Sequence, residues 1–336
     1  MVVPVKIGIA TPALAAANNG NWHTAARWTA HLAAVADVSL FEQWDGQPLD
    51  MLIALHARKS ARTVEAFRRG QPDGRIVLVM TGTDLYRDLP DDESALRSLA
   101  LADDIVVLHD LALRALPPAA ALKTRVIVQS CGNHLAVSPA TPRDGPVRFI
   151  AMGHIRDVKD PATLARAARR LREEDIAIEH LGAFLDERLA DDLRRLTQDC
   201  PAYHLRGGLP HDVALQCLAN ADALVHPSKM EGGANVVIEA ICAGVPVLAS
   251  NIDGNAGLLG PSYEGYFPVG DDERLAALMH RFAAEPAFRA RLRAQLDTLR
   301  ERFTPEREAA AVRALIAGVV RRYRLECQVL TSQSAR

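Results

Sequence analysis

Two glutamates stand eight positions apart in HPSKMEGGANVVIEAICAGVPVLAS, residues 226–250. Glu231 precedes Gly232, Gly233, Ala234 and Asn235, and Glu239 follows in an apolar run. If a helix opens near Asn235, the glycines let a ligand approach the backbone closely. The free N–H groups of its first turn and the positive end of its dipole then form an anion site, for which phosphate or diphosphate is the natural guest. Glu239 lies eight residues, about two helical turns, beyond Glu231, on a face near it. Its two carboxylate oxygens suit a vicinal diol. The same letters also read as a helix cap and a partly exposed helix acid, and the stretch alone leaves both readings open.

A second constellation is AMGHIRDVKDP, residues 151–161, which brings His154, Arg156 and Lys159 close together between a strand and a helix. Positive charge there could neutralise a diphosphate that a helix end only partly holds. Taken alone it is a solvated basic turn. In the N-terminal half, TPALAAANNGNWHTAARW (11–28) places Asn18, Asn19, Gly20 and Asn21 in one loop. Small and polar residues in such a run make a backbone nest, while an N-cap at Asn21 is the plainer alternative. LHARKS (55–60) groups His56, Arg58 and Lys59 before a capping Ser60, a basic cluster at a helix start that suits a small dianion. TGTDLYRDL (81–89) adds Thr81, Thr83, Asp84, Tyr86 and Arg87. All three loops follow strands, so they leave the same side of one sheet. Otherwise they are solvated loop residues.

The elements that must position these residues alternate along the chain. Short apolar runs at 5–10, 37–42, 50–56, 75–82, 104–110 and 125–130 read as strands, with helical periodicity at 21–36, 60–70 and 91–102. GNHLAVSPATPRDGPV (132–147), with three prolines and no helical period, reads as a linker. The alternation then restarts, with strands at 147–153, 176–182, 202–207, 221–227 and 245–250 and helices between them. Residues 272–322 read as helical, broken near Pro286 and Pro305. Alternating β and α elements predict α/β architecture: two Rossmann-like, doubly wound parallel-sheet domains. Ligands in such sheets sit at the strand C-termini, so the expected site is a central cleft that the two domains face. The expected boundaries are 1–140 for a first Rossmann-like domain and 141–305 for a second, with a helix at 306–336 packing back on the first.

Bulk properties narrow the partners. The chain has 336 residues, 49% hydrophobic and 24% charged, and a net charge of −2, so no global basic excess attracts nucleic acid. Its five cysteines are scattered without a CxxC, which predicts reduced thiols in the cytoplasm and no structural zinc. No apolar stretch reaches the length of about 18 residues that a membrane span needs, and the N-terminus reads as a first strand. No metal and no cofactor is expected, and the oligomeric state is left open.

These motifs carry a resemblance. Pro227-Ser228, Glu231-Gly232, Glu239-Ala240, Gly244 and Pro246-Val247, with Lys159 upstream, resemble the retaining GT-B glycosyltransferases with an E-x7-E motif (family 4-like). That resemblance implies a nucleotide-sugar donor. It implies that Glu239 holds the ribose hydroxyls and Glu231 the sugar hydroxyls. The backbone N–H groups of Gly233, Ala234 and Asn235, with Lys159, would hold the diphosphate. The family usually has arginine where this chain has His154, and Arg156 is the candidate substitute. LRGG (205–208) matches the base-contacting loop through Arg206 and Gly207. Without a DxD motif, leaving-group stabilisation falls to Arg156, Lys159 and the helix dipole, with Glu231 completing the catalytic set.

NNGNWHTAARW, GTDLYRDL, GGANVVIEA and IDGNAGLLG together look like the selenosugar synthases of selenoneine biosynthesis. That likeness implies a selenophosphate acceptor and a UDP-sugar donor such as UDP-N-acetylglucosamine. The products would be a 1-seleno sugar, UDP and phosphate. Selenium is itself a strong nucleophile and needs no general base. The acceptor residues would be Asn18, Asn19, Gly20, Asn21, His56, Arg58, Lys59, Thr83 and Asp84. Competing readings are a hexosyltransferase acting on a hydroxyl, a non-catalytic nucleotide-sugar binder and a GT-B-like epimerase.

Overall fold

A computed structural model describes residues 5–15, 19–132, 145–172 and 174–334. In chain order its elements begin with β1 (Val5–Ala10), α1 (Gly20–Leu32), β2 (Ala36–Phe41), β3 (Met51–Leu55), α2 (Ala61–Gly70), β4 (Arg75–Val79), α3 (Glu93–Leu101), β5 (Asp104–Val107), α4 (Pro118–Ala121) and β6 (Thr124–Val126). The series restarts with β7 (Val147–Met152), α5 (Pro161–Arg170), β8 (Ile176–Leu181), α6 (Glu187–Thr197), β9 (Tyr203–Gly207), α7 (His211–Ala219), β10 (Ala223–His226) and α8 (Asn235–Ala243). It ends with β11 (Val247–Ser250), α9 (Asp253–Leu259), β12 (Tyr266–Phe267), α10 (Asp272–Ala284), α11 (Pro286–Asp297) and α12 (Pro305–Ser334). Short irregular elements escaped the periodicity: β12, α9, and a π-helical turn at Asp84–Asp88.

The chain divides into two compact units, Met1–Gln129 with Pro305–Arg336, and Ser130–Thr304. The division falls before the proline-rich stretch read as the linker, whose residues 133–144 lie outside those described.

In the first unit, six parallel strands run in the order β2-β1-β3-β4-β5-β6. Successive strand residues point to opposite faces, so each face collects its own apolar set. Leu52, Ala54, Ile76, Leu78, Ile105 and Val107 pack with Val64 and Phe67 of α2 and Leu99 of α3. Ile9, Met51, Ile53, Val77, Val79 and Val106 pack on the other face with Trp28 and Leu32 of α1 and Val312, Leu315 and Val319 of α12. The buried carboxylate of Glu308 ties α12 to α1. It accepts from Trp28 Nε1 at 2.9 Å and from Arg27 Nε at 3.1 Å. The long α12 therefore completes the first unit.

In the second unit the order is β12-β11-β10-β7-β8-β9, again all parallel. The chain runs outward from β7 in one direction and from β10 in the other. The C-termini of β7 and β10 therefore flank the point where strand order reverses, the place at which open α/β sheets take ligands. In the first unit the corresponding point lies between β1 and β3. Among the described residues, no helix is long and apolar enough to cross a membrane.

Candidate functional site

The loop after β10 and the loop after β7 meet at the reversal point of the second sheet. Three contacts stitch them together. Lys229 donates its backbone N–H to Val158 O at 2.9 Å, its Nζ lies 2.7 Å from Asp157 Oδ1, and Lys159 Nζ donates to Glu231 Oε1 at 2.6 Å. His226, the last residue of β10, is 2% exposed, and its Nε2 lies 3.2 Å from the same Glu231 oxygen. Burial by itself would push the Glu231 carboxyl up. The charge of Lys159 and the contact with His226 overcome it and hold the group well below the usual carboxylate range. Burial also lowers the His226 imidazole from its ordinary value. Glu231 opposes that shift and Lys159 adds to it.

Local geometry explains why Glu231 sits there. Gly254, at the start of α9, presses against the Glu231 backbone so closely that a Cβ would stand 2.1 Å from the Glu231 carbonyl oxygen. Only glycine permits that approach. Behind this turn, Asn255 Nδ2 donates to Ser250 O at 2.9 Å, anchoring α9 to the end of β11. On the β7 side, Gly153 turns the chain at φ +151° and the aliphatic stem of Lys159 lies over it.

α8 begins at Asn235, with Ala234 as N-cap making no side-chain capping bond. The EGGAN stretch therefore does open a helix, whose N-terminus follows directly on the turn that carries Glu231; Lys159 reaches that residue from the loop after β7. Glu239 lies on α8, 9% exposed, and pairs with His211 Nε2 at 2.9 Å. His211 is the first residue of α7 and stands just after the Gly207-Gly208 loop. It places the β9–α7 connection beside Glu239. Gly232 and Gly233 span the turn between Glu231 and α8. Arg156 is exposed at the start of the turn that carries Lys159 and has no ion-pair partner among the described residues. His154 is half-buried in the same turn. Arg206 instead pairs with Glu179 of β8 at 2.8 Å, because its side chain leaves β9 on the strand's exposed face.

At the reversal point of the first sheet the predicted residues take different parts. Asn18 lies outside the described residues. Asn19, not Asn21, caps α1: its Oδ1 accepts from Trp22 N at 3.1 Å, and Gly20 and Asn21 are already helical. The nest expected over 18–21 is thus, from Asn19 on, a capped helix start. Ser60 occupies the N-cap position of α2 but makes no capping bond, since its hydroxyl turns back to Leu55 O at 2.6 Å.

Asp84 is fully buried, and its carboxylate accepts from Ala57 N at 3.0 Å, Thr81 N at 2.9 Å and Gly82 N at 2.8 Å. It fixes the β3 and β4 loops against each other and presents nothing to solvent. Arg58 donates to Asp88 at 2.7 Å, and Arg87 reaches the other oxygen at 3.1 Å. His56 is the notable survivor. It is buried at the end of β3 with a left-handed φ of +73°, and its Nε2 lies 3.1 Å from Thr83 Oγ1. A non-glycine residue held in that region is strained, a state that clusters at ligand sites. Burial lowers its pKa, with Asp84 opposing, and Lys59 and Arg58 reinforcing the fall against a smaller opposition from Asp88.

The sequence reading missed His211 and His226. It also missed His109, fully buried just after β5 with Nε2 3.1 Å from Tyr86 Oη. The only signal for each was a histidine at or just past a strand's end or at a helix start. Among the described residues, no group of three or more His, Cys, Asp or Glu side chains is arranged to hold a metal ion.

Residues 138–297 match the family model for glycosyl transferases group 1. The chain is similar to glycosyltransferase 1 domain-containing protein 1 of Xenopus tropicalis, 20% identical over 305 residues that cover 82% of this chain and 87% of that protein. Its structure is similar to sucrose-phosphate synthase of Thermosynechococcus elongatus, with a TM-score of 0.78 at 18% identity, covering 94% of this chain and 99% of that one. It is also similar to HepE of Anabaena, solved in complex with UDP and glucose, with a TM-score of 0.76 at 15% identity, covering 94% and 100%. The two parallel six-stranded sheets with flanking helices are the GT-B fold.

Proposed function

We propose that this chain, a glycosyltransferase by its group 1 domain over residues 138–297, transfers a sugar from a UDP-sugar to the selenium of selenophosphate. N-acetylglucosamine is the proposed sugar. The selenium attacks the anomeric carbon, a C–Se bond forms, and the C–O bond to UDP breaks. Water then cleaves the Se–P bond, which releases phosphate and leaves the 1-seleno sugar.

One observation carries the donor half of this reading: Glu231, gripped by Lys159 at 2.6 Å, stands at the mouth of α8, which also carries Glu239. The helix end and Lys159 supply positive charge for a diphosphate, and Arg156 beside them can add more. Glu239 then accepts from the ribose hydroxyls and Glu231 from those of the sugar. UDP leaves with its charge stabilised by Lys159, Arg156 and the dipole, without a metal ion. HepE, of the same fold, was solved with UDP and glucose, which supports the choice of nucleotide.

The acceptor half is supported by the sequence likeness of NNGNWHTAARW and GTDLYRDL and by the strained His56 beside Arg58 and Lys59. A cytoplasmic location goes with this reading, since both the thiols and selenophosphate need reducing conditions.

One observation favours a hydroxyl acceptor as a second reading. Asp88 already pairs with Arg58 and Arg87, which lowers the positive charge available to a dianion. Mass spectrometry of a reaction containing UDP-N-acetylglucosamine and selenophosphate separates the two. A selenium-bearing sugar formed in step with UDP is the expected result. UDP released without such a product would reject the selenophosphate reading and leave the donor assignment standing.

A further inference from the structure

We infer that His226 is a positioning residue that takes up a proton when the donor's diphosphate draws Lys159 away from Glu231. The inference rests on the UDP-sugar reading above and adds to it a proton-coupled step. Two ionisable groups converge on one carboxylate oxygen. Lys159 Nζ lies 2.6 Å from Glu231 Oε1 and His226 Nε2 lies 3.2 Å from it. His226 is 2% exposed, and its Nε2 is enclosed and off the line of a good hydrogen bond to Glu231. Glu231 and Lys159 are the charged groups that bear on the imidazole. Ser228, Ser250 and Asn255, which hydrogen-bond around the end of β10, are uncharged, and Lys229 of the following loop is paired with Asp157.

Without a donor, Lys159 balances the Glu231 carboxylate, and the buried imidazole stays neutral near pH 7. A diphosphate at the N-terminus of α8 competes for Lys159 with a larger negative charge. Glu231 is then a nearly buried carboxylate without its cation, an arrangement that proteins avoid. His226 is the base nearest to it. Lys159 no longer depresses the imidazole, and a new anion stands nearby, so both changes favour protonation. One proton from solvent converts neutral His226 to the imidazolium. Its N–H then points a charge-assisted hydrogen bond at Glu231 and holds the carboxylate in place for the sugar. Net charge is conserved around Glu231: one cation leaves and another forms.

The experiment is isothermal titration calorimetry with UDP as the probe, at pH 8, in two buffers with different heats of ionisation. The β-phosphate of UDP, with a pKa of about 6, is already ionised there. Wild-type protein should take up a substantial fraction of one proton for each UDP bound. His226→Gln should bind UDP with no uptake, and its affinity should be flat between pH 7 and 9, where that of wild type falls by up to about tenfold per unit. Uptake that persists in His226→Gln would assign the proton to Glu231 or another group and overturn the inference, as would zero uptake in wild type. Should the variant fail to fold, nitrogen NMR of histidine-labelled wild type reads the same event: the His226 ring must change from neutral to charged on adding UDP. Wild type that binds no UDP at all would overturn the donor reading itself, a different failure from binding without a proton.

Discussion

Replacing Gly254 by alanine sets two effects of known sign against each other. Gly254 lies in the first turn of α9, where alanine is a better helix former by up to about 1 kcal/mol. On propensity alone, the variant should be more stable. The added Cβ, however, would stand 2.1 Å from the Glu231 carbonyl oxygen and 2.8 Å from its carbonyl carbon, where ordinary contact begins at 3.4 Å. The obstacle is backbone, which cannot rotate aside as a flexible side chain would. Relief requires α9 or the Glu231 loop to retreat by about 1 Å, and overpacking of this kind costs roughly 1–3 kcal/mol.

The clash therefore wins, with net destabilisation of about 1–2 kcal/mol and a fall in Tm of about 2–6 °C. Function should suffer more than stability, because the displaced residue is Glu231. A misplacement of about 1 Å in a positioning group can cost on the order of 100-fold, so kcat/KM for the UDP-sugar should drop roughly 10- to 100-fold. Gly318→Ala is the control: it lies in α12, and its nearest neighbour would be an Arg125 side-chain nitrogen at 3.7 Å, so propensity alone should act and Tm should rise slightly. Differential scanning fluorimetry and steady-state kinetics on both variants test the argument. An unchanged or raised Tm for Gly254→Ala, with unchanged kcat/KM, would refute it.

Removing the Lys159 charge with Lys159→Gln should weaken UDP binding by about 10- to 100-fold, the worth of one charge-assisted hydrogen bond, measured by calorimetry at fixed ionic strength. The same variant should change acid stability. The folded Glu231 carboxyl is held below its ordinary value of 4.5, so its contribution is present above that pH and is lost as pH falls from 4.5 toward the folded value. Urea melts between pH 3 and 6 should show a shallower loss for Lys159→Gln than for wild type. Glu239→Ala should raise KM for the UDP-sugar by about 10-fold or more and erase any preference for UDP over 2′-deoxy-UDP. Competition binding of the two nucleotides reads that directly. Arg58→Ala and Lys59→Ala should raise the KM for selenophosphate several-fold with little change in the donor KM. Unchanged acceptor kinetics in both would remove that cluster from the acceptor site.

Some of this molecule is written locally along the chain. Strand and helix periodicities, the glycines before Asn235 and the spacing of Glu231 and Glu239 are short-range patterns. A pleated strand repeats every two residues and a helix every 3.6, so α/β architecture and a helix N-terminus after β10 were legible from the letters. The motif from Pro227 to Val247 spans about 20 residues for the same reason: one βαβ unit carries it.

Other features depend on which strands become neighbours, and no local pattern carries that. Lys159 and Glu231 are 72 residues apart, and they meet only because β7 and β10 lie side by side at the reversal of strand order. His226, a plain letter in HPS, became part of the site when burial and that pairing placed its ring against Glu231. Asp84, read as a ligand group, was taken up by backbone amides, and Arg58 came to share its charge with Asp88 while staying partly exposed, since a polar group bonds to whatever the fold brings within reach. The residue types determined what chemistry is available here. The tertiary structure decided which of them remain open to a ligand, because a carboxylate that already holds three N–H groups or a guanidinium has little left to offer.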